Sequence, residues 1–413
     1  MAISRDNLKA AASAAVDVNK EELSLLSSEI WKNPELGFKE HKAHELLTSF
    51  LEKKGFALER SFTGIETAFR ATFGSGRPNV CVICEYDALP EIGHACGHNL
   101  IAEAGVAAGL GLKAAFECSD APKGRVTIMG TPDEEKDGGK VYLIQNGAFD
   151  DIDIAMMVHP SPFTIIRMSS SALIPLNATY TGKASHAAGF PWEGVNALDA
   201  AVLAYNSISV LRQQMKPTWR VHGIFTNGGV KPNIIPEKSK LEYYIRALTV
   251  PDLETLKEKV IACFQAAALA TGCEVQIEQP ETESVYLGLN SNPVLAQQYE
   301  NNLKSFGVEY QLTKDEHAGS TDMGNVSYIV PSIHPTYKVG SGEITHSRDF
   351  TQVANTPDAH SATLTAAKVM AYTCIDVLTT EGLLEEIKAN FEASRAQCGS
   401  DVLTLATGKL KLN

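Results

Sequence analysis

Apolar side chains recur at helical spacing from about Asn19 to Trp31. Asn33-Pro34 ends that run, since the residue before a proline is pushed out of the helical region. A second such stretch, from about Glu40 to Lys54, stops at Gly55. Then the period changes. Asn79 to Tyr86 is a continuous apolar run of strand length, closed by Asp87-Ala-Leu-Pro90. A helix from about Asn99 to Glu117, a strand Arg125–Met129, a helix Lys140–Asn146 and a strand Ile152–Val158 are predicted next. Strands that are apolar throughout and alternate with helices predict an α/β domain with a mostly parallel sheet covered on both faces.

The middle third has a different rhythm. A strand at Ala172–Thr181, a helix at Asn196–Met215, strands at Trp219–Phe225 and Lys238–Leu248, a helix at Asp252–Thr271 and a strand at Cys273–Gln279 make β-α-β-β-α-β. That order is a ferredoxin-like α+β unit, long enough to stand as a domain. The helix opening at Pro293 and the segment from Asn325 return to the first pattern, and a long helix is predicted from Pro357 to Arg395. The expected organisation is a discontinuous catalytic domain (1–175 and 289–395) with an inserted domain (176–288) and a polar tail (396–413).

Charge and composition narrow the classes. The 36 Lys and Arg stand against 49 Asp and Glu, a net −13, which argues against nucleic acid or an anionic membrane as partner. No run of 18 apolar residues occurs; the most apolar stretch, Leu100–Phe116, is interrupted by Glu103, Lys113 and three glycines, so no membrane span is expected. Eight cysteines in 413 residues are no disulfide scaffold, and the first residues lack the apolar run of a secretory signal, so the expected setting is the reducing cytoplasm.

Three clusters follow three apolar strands: His94-Ala-Cys96-Gly-His98-Asn99, Pro132-Asp-Glu134-Glu135 and His159-Pro160. In a parallel sheet the carboxyl ends of strands share one edge, where open α/β folds bind ligands. Cys, His and Glu are donors for a borderline-soft divalent ion such as Zn²⁺, although any one of them alone is ordinarily a packed or solvated side chain. Adjacent glutamates at a strand exit could divide the labour of metal-assisted hydrolysis, one on a metal and one moving a proton. A further histidine ligand could come from His346, in the Gly-rich loop Gly342-Glu-Ile-Thr-His346, or from His317, His334 or His360; spacing does not choose. Cys81-Val-Ile-Cys84 lies inside a strand, where its thiols face opposite sides, and reads as core. Gly105, Gly109 and Gly111 lie within a helix and read as close helix–sheet packing, not a dinucleotide fingerprint. No G-x-S-x-G elbow occurs.

Asp87-Ala-Leu-Pro90, His94-Ala-Cys-Gly-His98, Thr131-Pro-Asp-Glu-Glu135, Gly182-Lys-Ala-Ser-His186-Ala, Asn233-Ile-Ile-Pro236 and Gly319-Ser-Thr-Asp322 stand in an order and spacing that resemble a known family. It is that of the di-metal amidohydrolases of the aminoacylase and carboxypeptidase G type. The branch with a Cys ligand, which includes auxin-conjugate and aminobenzoyl-glutamate hydrolases, is the nearest in pattern. Within it, His98-Asn99 and Gly319-Ser-Thr-Asp-Met-Gly-Asn325 are most similar to dipeptidases that release a C-terminal basic amino acid.

The resemblance implies two divalent ions in each protomer, Zn or Mn, bridged by Cys96 and completed by His98, Glu135, His159 and His346. It makes Glu134 the general base, Asp87 the acceptor that fixes a ligand imidazole, and His186 a group reaching a partner subunit's site across a dimer of inserted domains. Asn233 and Arg246 would hold the substrate carboxylate. Glu85 and Asn99 depart from the pattern, since many members carry Asp at both places. The implied reaction is hydrolysis of an amide next to a free carboxylate, in dipeptides ending in Lys, Arg or ornithine, with N-acyl amino acids or aminobenzoyl-glutamate as the alternative. A silent metal-binding scaffold and a Cys96–His98 thiol hydrolase are the competing classes.

Overall fold

Leu8, Ala12 and Val16 fall four residues apart and are fully buried, which gives α1 (Arg5–Val18) its inner face. The sequence reading leaves this helix out, because its face is mostly alanine. The structure, a computed structural model, describes residues 4–118, 123–313, 319–399 and 401–410; His317 lies outside them. Helices α2 (Lys20–Lys32) and α3 (His41–Lys53) follow where the periodicity places them. Strands β1 (Ala57–Arg60) and β2 (Phe69–Ser75) were not anticipated; β1 is nearly all exposed, so no apolar run marks it. β3 (Asn79–Glu85) is buried at every position, as a strand covered on both faces has to be.

The alternation continues with α4 (His98–Phe116), β4 (Gly124–Thr131), α5 (Gly139–Gln145), β5 (Ile154–Met156) and β6 (His159–Ser161). One strand was expected over Ile152–Val158; the structure has a shorter one, and a second begins at His159. By length and composition α4 could cross a membrane, contrary to expectation, yet it is a core helix buried along nearly its whole length. Cys81 and Cys84 join different core clusters on the two faces of β3. Gly105 is needed for close packing there: a Cβ would stand 2.4 Å from Cys84 Sγ.

The chain divides into two compact units. The second is centred on Ser170–Gly288 and also takes Ser320 and the residues from Thr404. Its elements are β7 (Ala172–Thr181), α6 (Ala197–Leu211), β8 (Arg220–Asn227), β9 (Lys238–Ala247), α7 (Val250–Thr271) and β10 (Glu274–Glu278). They form one antiparallel sheet in the order β10-β7-β9-β8, the ferredoxin-like arrangement the sequence predicts.

The first unit resumes with α8 (Pro293–Ser305), α9 (Met323–Val326), β11 (Ser332–Ile333), β12 (Thr336–Lys338) and α10 (Arg348–Val353). The expected single terminal helix is two, α11 (Pro357–Thr379) and α12 (Leu383–Ala396), separated at Gly382, whose φ of +78° few other residues adopt. The main sheet runs β1-β2-β4-β3-β5-β11. β4, β3, β5 and β11 are mutually parallel, and β6 pairs with β12 in a parallel two-stranded extension. The mixed α/β architecture with a parallel core is the one expected.

Candidate metal centre

Three strand exits build the pocket. β3 leads through Asp87 and Cys96 into His98, the first residue of α4. Gly97 makes that entry possible: it takes φ +79°, and a Cβ would meet Pro160 Cγ at 2.6 Å. β4 leads into Glu134 and Glu135 through Asp133, held at φ +56°, a region costly for a side-chain-bearing residue. Glu40, at the mouth of α3, clamps this turn by accepting the Asp133 N–H at 2.9 Å. His159 opens β6. His346 arrives from the loop after β12 with φ +63°, its N–H donating to the Ala95 carbonyl at 2.8 Å.

The donors converge in two sets. Cys96, His98 and His159 each bring a ligand atom within 4.8 Å of one another, and so do Cys96, Glu135 and His346. The Cys96 sulfur belongs to both sets. Glu134 belongs to neither, although it joins His98 and Glu135 at the same spacing.

The hydrogen bonds around these donors orient them inward. His98 Nδ1 donates to Asp87 Oδ1 at 2.8 Å, which leaves Nε2 with its lone pair toward the pocket. Asp87 Oδ2 also accepts the Glu135 N–H at 3.0 Å, so one buried carboxylate fixes both a histidine and a glutamate. His159 Nδ1 donates to the Pro160 carbonyl at 2.7 Å, and its Nε2 lies 3.4 Å from Cys96 Sγ. Glu135 Oε1 lies 3.4 Å from His346 Nε2. His98 Nε2 and Glu135 Oε1 are buried without a hydrogen-bond partner. Orphaned donors of these types, aimed at one space, fit divalent cations.

The electrostatics agree. Burial, then the Glu135 carboxylate, push the Cys96 thiol well above its ordinary range, so a thiolate here needs cations beside it. Burial and the Glu85 carboxylate raise Glu134 well above the usual carboxylate range. Burial opposes ionisation of Glu135, but the His346 hydrogen bond and the charge on His98 hold it below that range.

The remaining histidines are resolved by their partners. His360 Nδ1 is bound to Glu103 Oε2 at 2.6 Å, away from the donor sets. His334 packs against the His159 ring at 5.6 Å and offers no atom to either set; burial and His159 keep it neutral. His94 is also outside both sets, buried and held to about 4 by burial and His98. Asn99 turns away from the pocket: its Nδ2 donates to Ser27 Oγ at 3.0 Å and to the Ala354 carbonyl at 2.8 Å, where an aspartate would meet that carbonyl with no proton to offer. Glu85 does face the pocket, with Oε2 3.7 Å from His98 Nε2 and Oε1 bound by Lys140. The sequence reading missed Lys140; its one signal is a lone charge in the apolar run Val141-Tyr-Leu-Ile144.

In the second unit, His186 and Asn233 share a loop cluster. The His186 segment bridges Ile234, and the Asn233 carbonyl accepts the Ala187 N–H at 3.1 Å. His186 Nδ1 accepts from the N–H groups of Ala188 (3.2 Å) and Gly189 (3.0 Å), so a neutral ring carries its proton on Nε2, as a donor. Arg246, on β9, donates from Nη1 to Ser320 Oγ at 2.7 Å and lies against the Tyr244 ring.

Residues 171–271 match the peptidase dimerisation domain family. The chain is 48% identical over 401 residues to the Xaa-Arg dipeptidase of Mus musculus, covering 93% of this chain and 92% of that protein. The chain belongs to the M20 peptidase family. A second M20-type relative, a component of the p-aminobenzoyl-glutamate hydrolase of Escherichia coli (strain K12), is 30% identical over 446 residues, covering 90% of this chain and 92% of that protein. The solved structure of the Bacillus subtilis YXEP protein, a dinuclear metal binding peptidase from the M20 family, shares the fold with a TM-score of 0.69 at 17% identity, over 88% of this chain and 99% of that one.

Proposed function

We propose that this M20 peptidase hydrolyses the peptide bond of dipeptides whose C-terminal residue is arginine, lysine or ornithine, using two divalent ions, Zn or Mn. One observation carries the reading: two three-donor sets share the Cys96 sulfur while the adjacent Glu134 stands outside both. Cys96 would bridge the ions, with His98 and His159 on one side and Glu135 and His346 on the other. When bound, such ions supply Lewis acidity, polarising a carbonyl and lowering the pKa of water from about 15.7 toward roughly 7.

Every other role belongs to the chain. Asp87 orients His98 and the Glu135 backbone together. Glu134 takes the proton from the attacking water and returns it to the leaving amine. Its raised proton affinity suits both halves of that transfer. His186 Nε2–H polarises the scissile carbonyl, and Asn233 and Arg246 hold the terminal carboxylate, which suits a guanidinium fork.

A homodimer through the inserted unit belongs to the same proposal. β8 is the open edge of its sheet, and Ile224 and Phe225 on it and Val202, Tyr205 and Val210 on α6 are exposed. An unpaired edge beside apolar side chains is a template for a second copy. A reducing, cytoplasmic setting suits the eight free thiols.

Aminobenzoyl-glutamate or N-acyl amino acid hydrolysis is the second reading, supported by the relative from Escherichia coli. Turnover of alanyl and β-alanyl dipeptides ending in Arg, Lys or ornithine, compared with an acyl glutamate after chelation and re-addition of Zn²⁺, Mn²⁺ or Co²⁺, separates the two. The proposal expects the basic dipeptides to have the higher kcat/KM and chelation to abolish it. A preference for acyl glutamate would reverse the order of the readings, and chelator-insensitive turnover blocked by alkylation would replace both with thiol chemistry.

A further inference from the structure

Glu85, Glu134 and Asp322 each bring a carboxylate oxygen within 4.8 Å of the other two. All three are buried. Buried carboxylates so close either share protons or gather a cation. Here a cation is built into the chain. Lys140 Nζ donates to Asp322 Oδ1 at 2.7 Å and to Glu85 Oε1, and the Lys140 backbone N–H donates to Asp322 Oδ2 at 2.9 Å. Lys140 therefore grips both oxygens of Asp322, and its side chain is fully buried. Glu85 keeps Oε2 without a hydrogen bond, close to His98 Nε2. Without the ammonium, the pocket would offer two further carboxylates to any divalent ion entering it.

We infer that Lys140 is a positioning residue that decides which carboxylates can bind metal. By holding Glu85 and Asp322 it keeps both out of the ligand set and leaves Glu134 to move protons. The effect on turnover rests on the reading of Glu134 as base; the effect on metal binding does not.

The test uses the full chain and three variants: Lys140→Met, Asp322→Asn and the two combined. Each is saturated with Mn²⁺, freed of excess, and assayed for bound metal per chain and for kcat on a basic dipeptide. Lys140→Met should bind more Mn²⁺ than the wild type and lose at least about 100-fold in kcat, the scale of a lost general base. Asp322→Asn alone should keep the wild-type metal count, since Lys140 still holds Glu85. The double variant restores the wild-type charge balance, one carboxylate and one ammonium having gone together. It should return to the wild-type metal count and regain at least about tenfold in kcat over Lys140→Met, the non-additivity expected of coupled charges.

A folded Lys140→Met protein with a wild-type metal count overturns the inference. So does a double variant that neither folds better nor turns over faster than Lys140→Met. Should Lys140→Met fail to fold, the double variant decides alone: a wild-type metal count with turnover supports the inference, and the absence of either overturns it. If Glu134→Gln kept its turnover, the base assignment would fall while the metal counts still judged Lys140.

Discussion

The strand-end pocket and the loops of the inserted unit carry two halves of one proposed chemistry, and they are built in opposite ways. In the pocket Asp87 and His98 are buried, and a single carboxylate fixes a ring nitrogen and a backbone N–H at once. In the inserted unit His186 and Asn233 sit on exposed loops, and the described contacts of the His186 ring are with its own turn. The difference follows from the tasks. Holding cations demands donors fixed before the ion arrives, because each orphaned buried atom is costly. Gripping a substrate's carboxylate tolerates groups that stay hydrated until the substrate comes. The pocket should therefore fail through chemistry and affinity when damaged, and the loops through assembly.

The strongest break of that contrast is at Glu134. Glu134→Gln keeps the shape and removes the base, so kcat should fall by roughly 10²- to 10⁴-fold with metal content unchanged. Steady-state kinetics paired with metal analysis would check it. Loss of metal along with activity would make Glu134 a ligand and erase the division between the two glutamates. Next is Asp87. Asp87→Ala frees the His98 ring and strands the Glu135 N–H, so metal affinity should drop about 10- to 100-fold. Titration against a competing chelator measures this, and an unchanged affinity would mean that the pocket is less rigidly organised than its hydrogen bonds show.

How much of this was legible in the sequence divides along the same line. Cys96, Glu134, Glu135 and His159 could be placed on one edge because parallel strands put their carboxyl ends together, whatever lies between them. His346 could not be chosen over His334 or His360 from spacing; only the His360–Glu103 bond and the burial of His334 behind His159 separate them. Lys140 was invisible for a similar reason, since its partner Asp322 is 182 positions away and its neighbours are apolar. The departure at Asn99 drew notice only because it adjoins a ligand; in the helix its side chain points to Ser27, not to the pocket. β1 and the break at Gly382 escaped because exposure and a single φ value leave little mark on hydrophobic periodicity.

The loops can be sharpened by mixing. If His186 acts on the partner subunit's site, His186→Ala and Glu134→Gln homodimers should each be nearly inactive, while protomers exchanged in equal amounts should recover about one quarter of the wild-type rate. Half of a random mixture is heterodimer, and each heterodimer holds one complete site. Recovery near zero would place His186 in its own chain's site or outside the reaction. Size-exclusion chromatography under assay conditions confirms that exchange has occurred.

The smallest expected effect tests how the pocket is held. Glu40 accepts the Asp133 N–H at 2.9 Å through Oε1 and the Thr67 hydroxyl at 2.9 Å through Oε2. Burial first, and the Asp87 carboxylate second, push its pKa up to about 8. The folded protein thus holds this proton more tightly than the unfolded chain, where the group titrates near 4.5. A raised carboxyl pKa gives stability that is fully present below the unfolded value and is lost as pH rises through the folded one. Glu40→Gln keeps an oxygen for the Asp133 N–H and has no proton to lose. The Tm of the wild type minus that of Glu40→Gln should therefore fall by a few degrees between about pH 5 and pH 9. Cations in the pocket offset the Asp87 charge, so the fall should be larger in chelated protein than in metal-loaded protein. A difference that is flat with pH in both would mean that Glu40 is ionised in the folded state, and that the strained turn before Glu134 is held by a charged clamp.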